Sequence, residues 1–358
     1  MTLTRYLSRA FAGRFLAVLL AFAALLQLLD LLDKASVVLE RGQGAADLLT
    51  YIALRLPMIV NQLVPLAVLV GALGAFMTLA QHNEVVALRS VGASPWLFLR
   101  LLLPAVAVIV LLHLLLLDQV VPRSERVLQD WWAARAGPTA QAEDAPAKPV
   151  WMRVGDSIVS IAAVDDRGRR LTGVTIVTRN EQGRATGRIV ARNAEWDDGR
   201  WTLRDAEALS LRSNGAQTSD HRDALPWPDG PSPDNVAFVA KPTQFLSLQR
   251  IRSILDGVWS GTKPRAYYET QMQKTFSIPA SSFVMLLLAQ PALHGIRRSR
   301  RFGSGIAAGL ALGLVFLLFQ GLLSALAQAD TLSPALAVWS PLVLFGCIGG
   351  TILLSLEE

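Results

Sequence analysis

The sequence has very little cysteine and few charged residues. Cys347 is its single cysteine, which excludes an internal disulfide and a cysteine metal cluster. Charged residues make up 17% of the 358 residues, hydrophobic residues make up 52%, and the mean hydropathy is +0.38. Ordinary soluble proteins carry about 25% charged residues. The composition therefore indicates a membrane protein with one polar domain.

Motifs of enzymatic chemistry are also missing. No lysine follows a glycine, as a nucleotide-binding P-loop would require; the lysines are Lys34, Lys148, Lys241, Lys263 and Lys274. The histidines lack metal-ligand spacing; they are His82, His113, His221 and His294. We therefore expect no catalytic residue and no metal site. His113 lies inside an apolar run, and we interpret it as bonded to a neighbouring helix.

Six long apolar runs are each long enough to cross about 30 Å of hydrocarbon. We expect them to be transmembrane helices; they cover Phe15–Leu32, Leu56–Asn83, Trp96–Val120, Thr275–Ile296, Phe302–Ala329 and Thr331–Leu356. The first run is longer than the apolar part of a signal peptide, so we interpret it as a retained span. Residues 35–55 are expected to form a polar connection, and Pro57 and Pro65 to kink the second helix.

The basic residues indicate how the chain is oriented. A net charge of +6 and a pI near 9.9 would also fit a nucleic-acid-binding protein. However, the basic residues concentrate in residues 1–14, around Arg89, and between residues 297 and 301, all beside apolar runs. The positive-inside rule assigns such segments to the cytoplasm. We therefore expect no nucleic-acid partner, cytoplasmic N and C termini, and a central polar region on the other side of the membrane.

Residues 81–95, QHNEVVALRSVGASP, form a short polar insert between the second and third runs. Asn83 can cap a helix that has Glu84 in its first turn and Arg89 in its last, and Gly92 can close it in the left-handed conformation. Ser94 and Pro95 have the properties of the cap and first residue of the next helix. A two-turn charged helix of this kind would fit a groove on another protein. The alternative is a solvated connecting turn.

The polar region from Pro122 to Arg265 predicts a β-domain. Residues 124–136 are expected to extend the third helix, and residues 137–149 to form a linker. Short alternating segments follow, and Asp197-Asp198-Gly199 joins two of them as a hairpin turn. Residues 214–235 are predicted to be a loop and residues 244–256 a short helix. Two strands, Trp151–Ile161 and Val236–Lys241, are candidates for open sheet edges that recruit another chain.

These features predict an α-helical polytopic membrane protein with six transmembrane helices in a 3+3 arrangement and an inserted all-β domain outside the cytoplasm, which is either an antiparallel sandwich or a jelly roll. We expect residues 1–121 to hold the first three helices, residues 122–265 the β-domain with its linker, and residues 266–358 the last three helices.

The second span and the insert, PLAVLVGALGAFMTLAQHNEVVALRSVGAS, resemble the LptF/LptG family of lipopolysaccharide-export permeases. The order of three spans, a β-domain and three spans is similar to that family along the whole chain. Gly42-Gln43-Gly44 before the second span is closer to the LptG branch. The resemblance implies a non-catalytic inner-membrane subunit that pairs with a homologous LptF-like permease. It also implies that the inserted all-β domain is periplasmic and jelly-roll-like.

The same resemblance implies further partners. An LptB-like ATPase dimer would hold ATP and Mg²⁺, so that no cofactor is bound by this chain, and LptC- and LptA-like bridge proteins would receive the lipopolysaccharide. Glu84, Arg89 and Gly92 would contact the ATPase as a coupling helix.

The lipid contacts of the family match this sequence less closely. The family places basic residues near the outer ends of the first two spans, where this sequence has Asp30 and Met58. Lys34, Arg41 and Arg55 are the available substitutes for lipid contact, and interfacial anchoring is the alternative role for them. Two other functions also stay open: a membrane receptor with a periplasmic sensing domain, and a permease for another lipid or lipoprotein.

Overall fold

The computed structural model describes residues 2–41, 44–81, 94–135, 149–165, 168–180, 184–211, 217–240, 245–293 and 302–355. The chain divides into two compact units. One contains Met1–Arg135 and Ala266–Glu358, and the other contains Ala136–Arg265. The first unit is helical, and the second is built around one sheet.

The first part of the helical unit consists of long helices. Helix α1 covers Thr2–Arg41 and α2 covers Ala45–Gln81. Helix α3, Pro95–Leu115, continues through a π-helical turn, Leu116–Val120, into α4, Val121–Arg135. The predicted extension of the third span beyond residue 124 is therefore confirmed.

The remaining helices include two short ones from the sheet unit. Helix α5 covers Pro233–Ala240 and α6 covers Leu248–Leu255. Helix α7, Arg265–Leu288, is followed by a 3₁₀ turn, Gln290–Leu293. Helices α8, Phe302–Gln328, and α9, Pro334–Ser355, complete the described chain. Helix α6 confirms the short helix predicted within residues 244–256.

Six described helical segments are long and apolar enough to cross a membrane, as the sequence predicts. They are Thr4–Lys34, Ala46–Leu79, Trp96–Trp132, Arg265–Ala292, Ser304–Gln328 and Pro334–Ser355. The polar connection predicted at residues 35–55 is wrong over most of its length, because α1 continues to Arg41 and α2 already begins at Ala45. Polar residues at the ends of membrane helices extend the helix into the interface, where water solvates their side chains.

Glycines let the membrane helices approach each other closely. A Cβ atom on Gly71 of α2 would lie 2.9 Å from the Cα of Phe15 in α1. On α8, a Cβ on Gly309 would lie 2.9 Å from both the Leu288 carbonyl oxygen and the Leu73 side chain. Small residues at such contacts bring helix backbones together, and dispersion between packed side chains then stabilises the bundle. Helices α2 and α7 are the most buried spans.

The second unit contains six antiparallel strands that are neighbours in chain order. They are β1 (Val150–Val154), β2 (Ser157–Val164), β3 (Arg170–Arg179), β4 (Ala185–Asp197), β5 (Arg200–Leu211) and β6 (Gln217–Trp227). The predicted hairpin turn between β4 and β5 is confirmed: Asp198 and Gly199 have φ of 45° and 78°, as a two-residue I′ turn requires. The helical polytopic architecture with an inserted β-domain is thus confirmed.

Three local predictions for this domain are wrong. The strand expected at Trp151–Ile161 is a hairpin, in which a turn at Gly155 and Asp156 separates β1 from the antiparallel β2. Residues 217–227, expected within a loop, form strand β6, which pairs with β5 at every position except Asp223. Its side chains are mostly exposed and polar, so backbone hydrogen bonds hold it without an apolar alternation.

Residues 236–240 form part of α5 instead of a strand. Ser232 and Pro233 start this helix: the N–H groups of Asn235 and Val236 donate to the Ser232 carbonyl over 2.9 and 3.1 Å. Val236 and Val239 are buried one turn apart. The two edges of the described sheet are consequently β1 and β6.

The sheet bends along a line that crosses strands β2 to β6. Ile161 pairs with Val174 and Ala163 pairs with Thr172, while Ala162 and Gly173 between them are left unpaired in the described sheet. One residue pair is likewise missing between each of the next strands: Gly173 and Arg192 between β3 and β4, Arg192 and Asp205 between β4 and β5, and Asp205 and Asp223 between β5 and β6. Gly173 and Asp205 have φ of 64° and 54°. Left-handed residues inside strands redirect the backbone, so the sheet bends along this line.

The bend brings both halves of the sheet onto one core. On β3 the buried side chains are Leu171, then Val174 and Ile176, so the inward-facing alternation slips by one residue at Gly173. On β5 it slips between Leu203 and Ala206. Residues from both sides of the line share one apolar cluster with α5. The bend therefore lets a single sheet enclose its own core.

Gly173 should be far less tolerant of a side chain than a glycine in a similar backbone conformation with free space around it. In Gly173→Ala the new Cβ would lie 2.8 Å from the Ala162 Cβ, whereas Gly155, with φ of 56°, has nothing within 4 Å. Left-handed strain of about 1–3 kcal/mol applies to both variants, and the clash adds to it only at Gly173. We expect a larger drop in Tm for Gly173→Ala than for Gly155→Ala in the purified full chain, followed by tryptophan fluorescence. Equal drops would show that the bend accommodates a side chain.

Candidate functional site

Polar and aromatic side chains meet where the second half of α1 faces the first turns of α2. The hydroxyl of Tyr51 donates to Asp30 Oδ2 over 2.6 Å. Arg55 Nε and Nη2 donate to Asp30 Oδ1 over 3.3 and 3.2 Å, and its Nη1 lies 3.4 Å from the sulfur of Met58. Asp30 therefore joins two side chains that are one turn apart on α2.

Two tryptophans from the end of α4 complete this group. The rings of Trp131 and Trp132 stack 5.3 Å apart at 12°. Tyr51 lies 5.9 Å from the Trp132 ring and 6.5 Å from that of Trp131. We call Asp30, Tyr51, Arg55, Met58, Trp131 and Trp132 the Asp30 cluster. Tyrosine and tryptophan are enriched at membrane–water interfaces, which indicates that the cluster lies at one face of the membrane.

The charges of the cluster are paired but remain accessible. The side chain of Arg55 is 36% exposed and that of Asp30 is 20% exposed. Exposed ion pairs contribute at most about 1 kcal/mol because water competes for both partners. Arg55 can therefore exchange its carboxylate for another anion at little cost, while Asp30 keeps its bond from Tyr51.

The other two predicted lipid-contact residues lie further along α1. Lys34 Nζ pairs with Asp33 Oδ2 over 2.9 Å, and both side chains are well exposed. Arg41 is the last residue of α1, and its side chain lies outside the described part of the structure. The structure thus brings Arg55 into a cluster and leaves Lys34 beside it on the same helix as Asp30. Sequence reasoning missed Tyr51, Trp131 and Trp132, although Tyr51 and Arg55 have the i, i+4 spacing of one helix face.

The predicted docking segment lies outside the described residues, so Glu84, Arg89 and Gly92 have no described surroundings. Its borders are described. Helix α2 ends at Gln81, and α3 begins at Pro95 after Ser94, whose φ of −78° and ψ of 158° are those of a cap residue. The predicted cap position is confirmed, but the Ser94 side chain makes no capping hydrogen bond.

Helices α1 and α2 are also tied together near this segment. Arg14 donates from Nη2 to the Thr78 hydroxyl over 2.7 Å and from Nη1 to the Ala10 carbonyl over 2.8 Å. Thr78 in turn donates to the Gly74 carbonyl. The pair α1–α2 is thus bridged by polar contacts toward both of its ends.

The interpretation of His113 is confirmed. It is buried, and its Nε2 lies 3.0 Å from Asn61 Oδ1 and 3.2 Å from the Asn61 carbonyl oxygen in α2. Within the described ranges, no three His, Cys, Asp or Glu side chains are grouped to hold a metal ion.

Comparison with known proteins adds a family. The family model described as "Lipopolysaccharide export system permease LptF/LptG" matches residues 5–355. The lipopolysaccharide export system permease protein LptG of Escherichia coli K12 is 24% identical over 332 residues, which is 91% of this chain and 89% of that relative. The LptG protein of Haemophilus influenzae is 24% identical over 321 residues, covering 88% of this chain and 87% of that relative.

Asp30 and Tyr51 should behave as a coupled pair. Asp30→Ala, Tyr51→Phe and the double variant form a cycle in which each single change removes the 2.6 Å bond. A hydrogen bond to a charged group contributes about 1.5–3 kcal/mol, and partial exposure lowers this, so we expect a coupling near 1 kcal/mol. Reversible unfolding in SDS measures it. Additive single effects would mean that the bond does not hold α1 against α2.

Proposed function

The chain belongs to the LptF/LptG family of lipopolysaccharide export permeases, and on that premise we propose that it is the LptG-type subunit of a permease pair. The observation that carries this proposal is the family match over residues 5–355, supported by six membrane-length helices around an antiparallel β-domain. The chain is a multi-pass membrane protein of a lipopolysaccharide export system. No observation favours a receptor over this function.

The proposed complex contains further subunits, which supply the ATPase activity and carry the lipid away. A homologous LptF-like permease would face it across a lipid cavity, and an LptB-like ATPase dimer would bind ATP and Mg²⁺. LptC- and LptA-like bridge proteins would carry lipopolysaccharide away. We propose that the chain itself is non-catalytic and binds no cofactor, since no lysine stands in a P-loop context.

The proposed location is the inner membrane, with both termini in the cytoplasm and the β-domain in the periplasm. The distribution of basic residues supports this orientation. In this orientation the segment between α2 and α3 would lie on the ATPase side and the Asp30 cluster at the periplasmic face. Glu84, Arg89 and Gly92 would then form the coupling helix, an assignment that rests on the family resemblance of residues 81–95.

The lipid phosphates of the substrate would bind at Arg55, with Lys34 and Arg41 as further cations along α1. Asp30 and Met58, which occupy the two positions where the family places basic residues, are both in contact with Arg55. At those two positions this chain would thus present the Arg55 guanidinium in place of the basic residues that the family resemblance implies. A phosphate competing with Asp30 for Arg55 offers charge-assisted, two-pronged hydrogen bonding, which guanidinium groups favour.

The β-domain would receive lipid through an open sheet edge. Strands β1 and β6 form the edges of the described sheet. Of the predicted edge strand Trp151–Ile161, only the part in β1 lies at an edge, because the part in β2 pairs with strands on both sides. Strand β6 carries a row of charged side chains, a feature that blocks unwanted pairing, so β1 is the better candidate for adding a partner's strand.

Reconstitution tests the function directly. The chain, its partner permease and the ATPase are placed in proteoliposomes that contain lipopolysaccharide, with the bridge proteins outside. We expect ATP-dependent transfer of lipopolysaccharide to the bridge. ATP-dependent release of a different lipid would replace the assigned substrate, and copurification with a kinase instead of an ATPase would favour a receptor.

Arg55 should bind the lipid, and Asp30 should restrain it. In the assembled complex, Arg55→Gln should lower photocrosslinking to lipopolysaccharide, and Asp30→Asn should raise it about two- to fivefold, because the exposed pair competes with phosphate by up to about 1 kcal/mol. Arg100→Gln, the same substitution at an exposed arginine near the start of α3, is the matched control. Unchanged crosslinking in both cluster variants would assign Arg55 to interfacial anchoring.

Glu84 should couple the ATPase. Glu84→Lys reverses a charge in the proposed coupling helix and should reduce copurification of the ATPase or raise its hydrolysis without lipid transfer. Removing a charge-assisted hydrogen bond from an interface costs about 1–3 kcal/mol, or roughly five- to 150-fold in affinity. Asp229→Lys, on an exposed residue of the β-domain, makes the same charge change as a control. Normal assembly, hydrolysis and transfer in Glu84→Lys would refute the coupling role.

A further inference from the structure

Helix α2 contains a backbone carbonyl that its own helix cannot satisfy. Pro65 lies four residues after Asn61 inside the continuous helix Ala45–Gln81, and proline has no N–H to donate to that carbonyl. In a membrane, a backbone group without a hydrogen bond costs several kcal/mol, so a donor must come from elsewhere. The Nε2 of His113 supplies it, at 3.2 Å from the Asn61 carbonyl oxygen.

The second contact of the same nitrogen fixes the chemistry of the bond. Nε2 also lies 3.0 Å from Asn61 Oδ1. Both oxygens are acceptors, so the proton must be on Nε2, which shares it between the backbone and the side chain of one residue. His113 and Asn61 are both buried, at 2% and 4% exposure. The Nδ1 atom has no partner among the described residues, so the bond to Asn61 is the polar contact that holds this ring.

The π-helical turn after His113 keeps α4 in line with this contact. Backbone bonding shifts there, with the Val121 N–H donating to the Leu116 carbonyl five residues earlier. The extra residue places Val121 and Glu125 on the buried side that Val106 and His113 occupy before the turn. Ser124 then donates to the Leu54 carbonyl of α2 over 2.5 Å. Side chains of α3 and α4 thus bind backbone carbonyls of α2 at two levels.

The position of the His113 contact links the two candidate functional regions. Asn61 lies about 20 residues, or about 30 Å of helix, from the end of α2 at Gln81, and His113 lies a similar distance from the start of α3 at Pro95. The segment proposed to contact the ATPase joins these two ends. Arg55 of the Asp30 cluster lies about two turns beyond Asn61 on α2. The bond therefore lies between the segment and the cluster.

We propose that His113 is a positioning residue that makes α2 and α3 move as one body, so that displacement of residues 82–93 is transmitted to the Asp30 cluster. This inference rests on the proposed function. Without the bond, α2 and α3 could shift past each other at this level, and motion delivered at one end of the pair would be absorbed between them before it reached Arg55. The bond satisfies the free carbonyl of α2 and at the same time ties α2 to α3, and only the second role is lost for good when His113 is removed.

Substitutions at His113 and Pro65 separate this role from simple satisfaction of the carbonyl. His113→Ala should lower the Tm of the complex and reduce lipopolysaccharide transfer about threefold or more per ATP hydrolysed, the size expected for losing one interhelical hydrogen bond in a membrane. His113→Gln keeps a side-chain donor and should retain most of the transfer. Pro65→Ala returns an N–H to α2, so the double variant Pro65→Ala/His113→Ala should regain Tm but not transfer.

Three outcomes would overturn the proposal. Transfer per ATP unchanged in His113→Ala would show that no coupling passes through the bond. Recovery of transfer in the double variant relative to Pro65→Ala alone would reduce His113 to a structural donor. Failure of Pro65→Ala to restore the Tm would show that the freed carbonyl is not the group that His113 serves. The Tm measurements need no lipid, so they test the bond even if the wild-type complex exports a lipid other than lipopolysaccharide.

Discussion

Satisfaction of backbone hydrogen bonds in an apolar medium is the constraint on which the helical unit depends. Every span must bond its N–H and C=O groups internally or find a partner in a neighbouring helix. Helix α2 departs from internal bonding because Pro57 and Pro65 each remove a donor. Donors from the α3–α4 helix bond carbonyls of α2 near both prolines: His113 bonds that of Asn61, which Pro65 leaves without a helical donor, and Ser124 bonds that of Leu54, three residues before Pro57. The stretches of α2 that proline weakens are thereby tied to a neighbouring helix.

Close packing at glycines and polar contacts near the helix ends also hold the membrane helices together. Glycines bring α1 onto α2 and α8 onto α2 and α7, where dispersion stabilises the contact without any hydrophobic drive between helices. Polar pairs lie toward the ends of α1 and α2, with Arg14 and Thr78 at one end and Asp30 and Arg55 at the other. Water reaches the latter pair, so its ions can exchange partners.

The β-domain has to bury the apolar face of its sheet, and the described part of it contains a single sheet. A single sheet packed on one side needs another layer to cover its apolar face. Here the bend through Gly173 and Asp205 turns the two halves of the sheet toward a shared core, and α5 adds Val236 and Val239 to it. The helix and the bend replace the second sheet that a sandwich would use. Within the described sheet, β1 and β6 are the edges and each pairs with a single neighbouring strand.

The sequence by itself determined the membrane class, the six spans, the inserted antiparallel domain and the Asp198-Gly199 turn, because apolar run length, period-two alternation and turn chemistry are local properties. It also indicated that His113 bonds a neighbouring helix. Only the tertiary structure decided that Asn61 is the partner, that Asp30 pairs with Arg55, and that β6 belongs to the sheet. The two side-chain contacts join residues 52 and 25 positions apart, and β6 depends on backbone pairing without an apolar pattern. Helix packing and strand register set them, and neither leaves a periodic signal in the sequence.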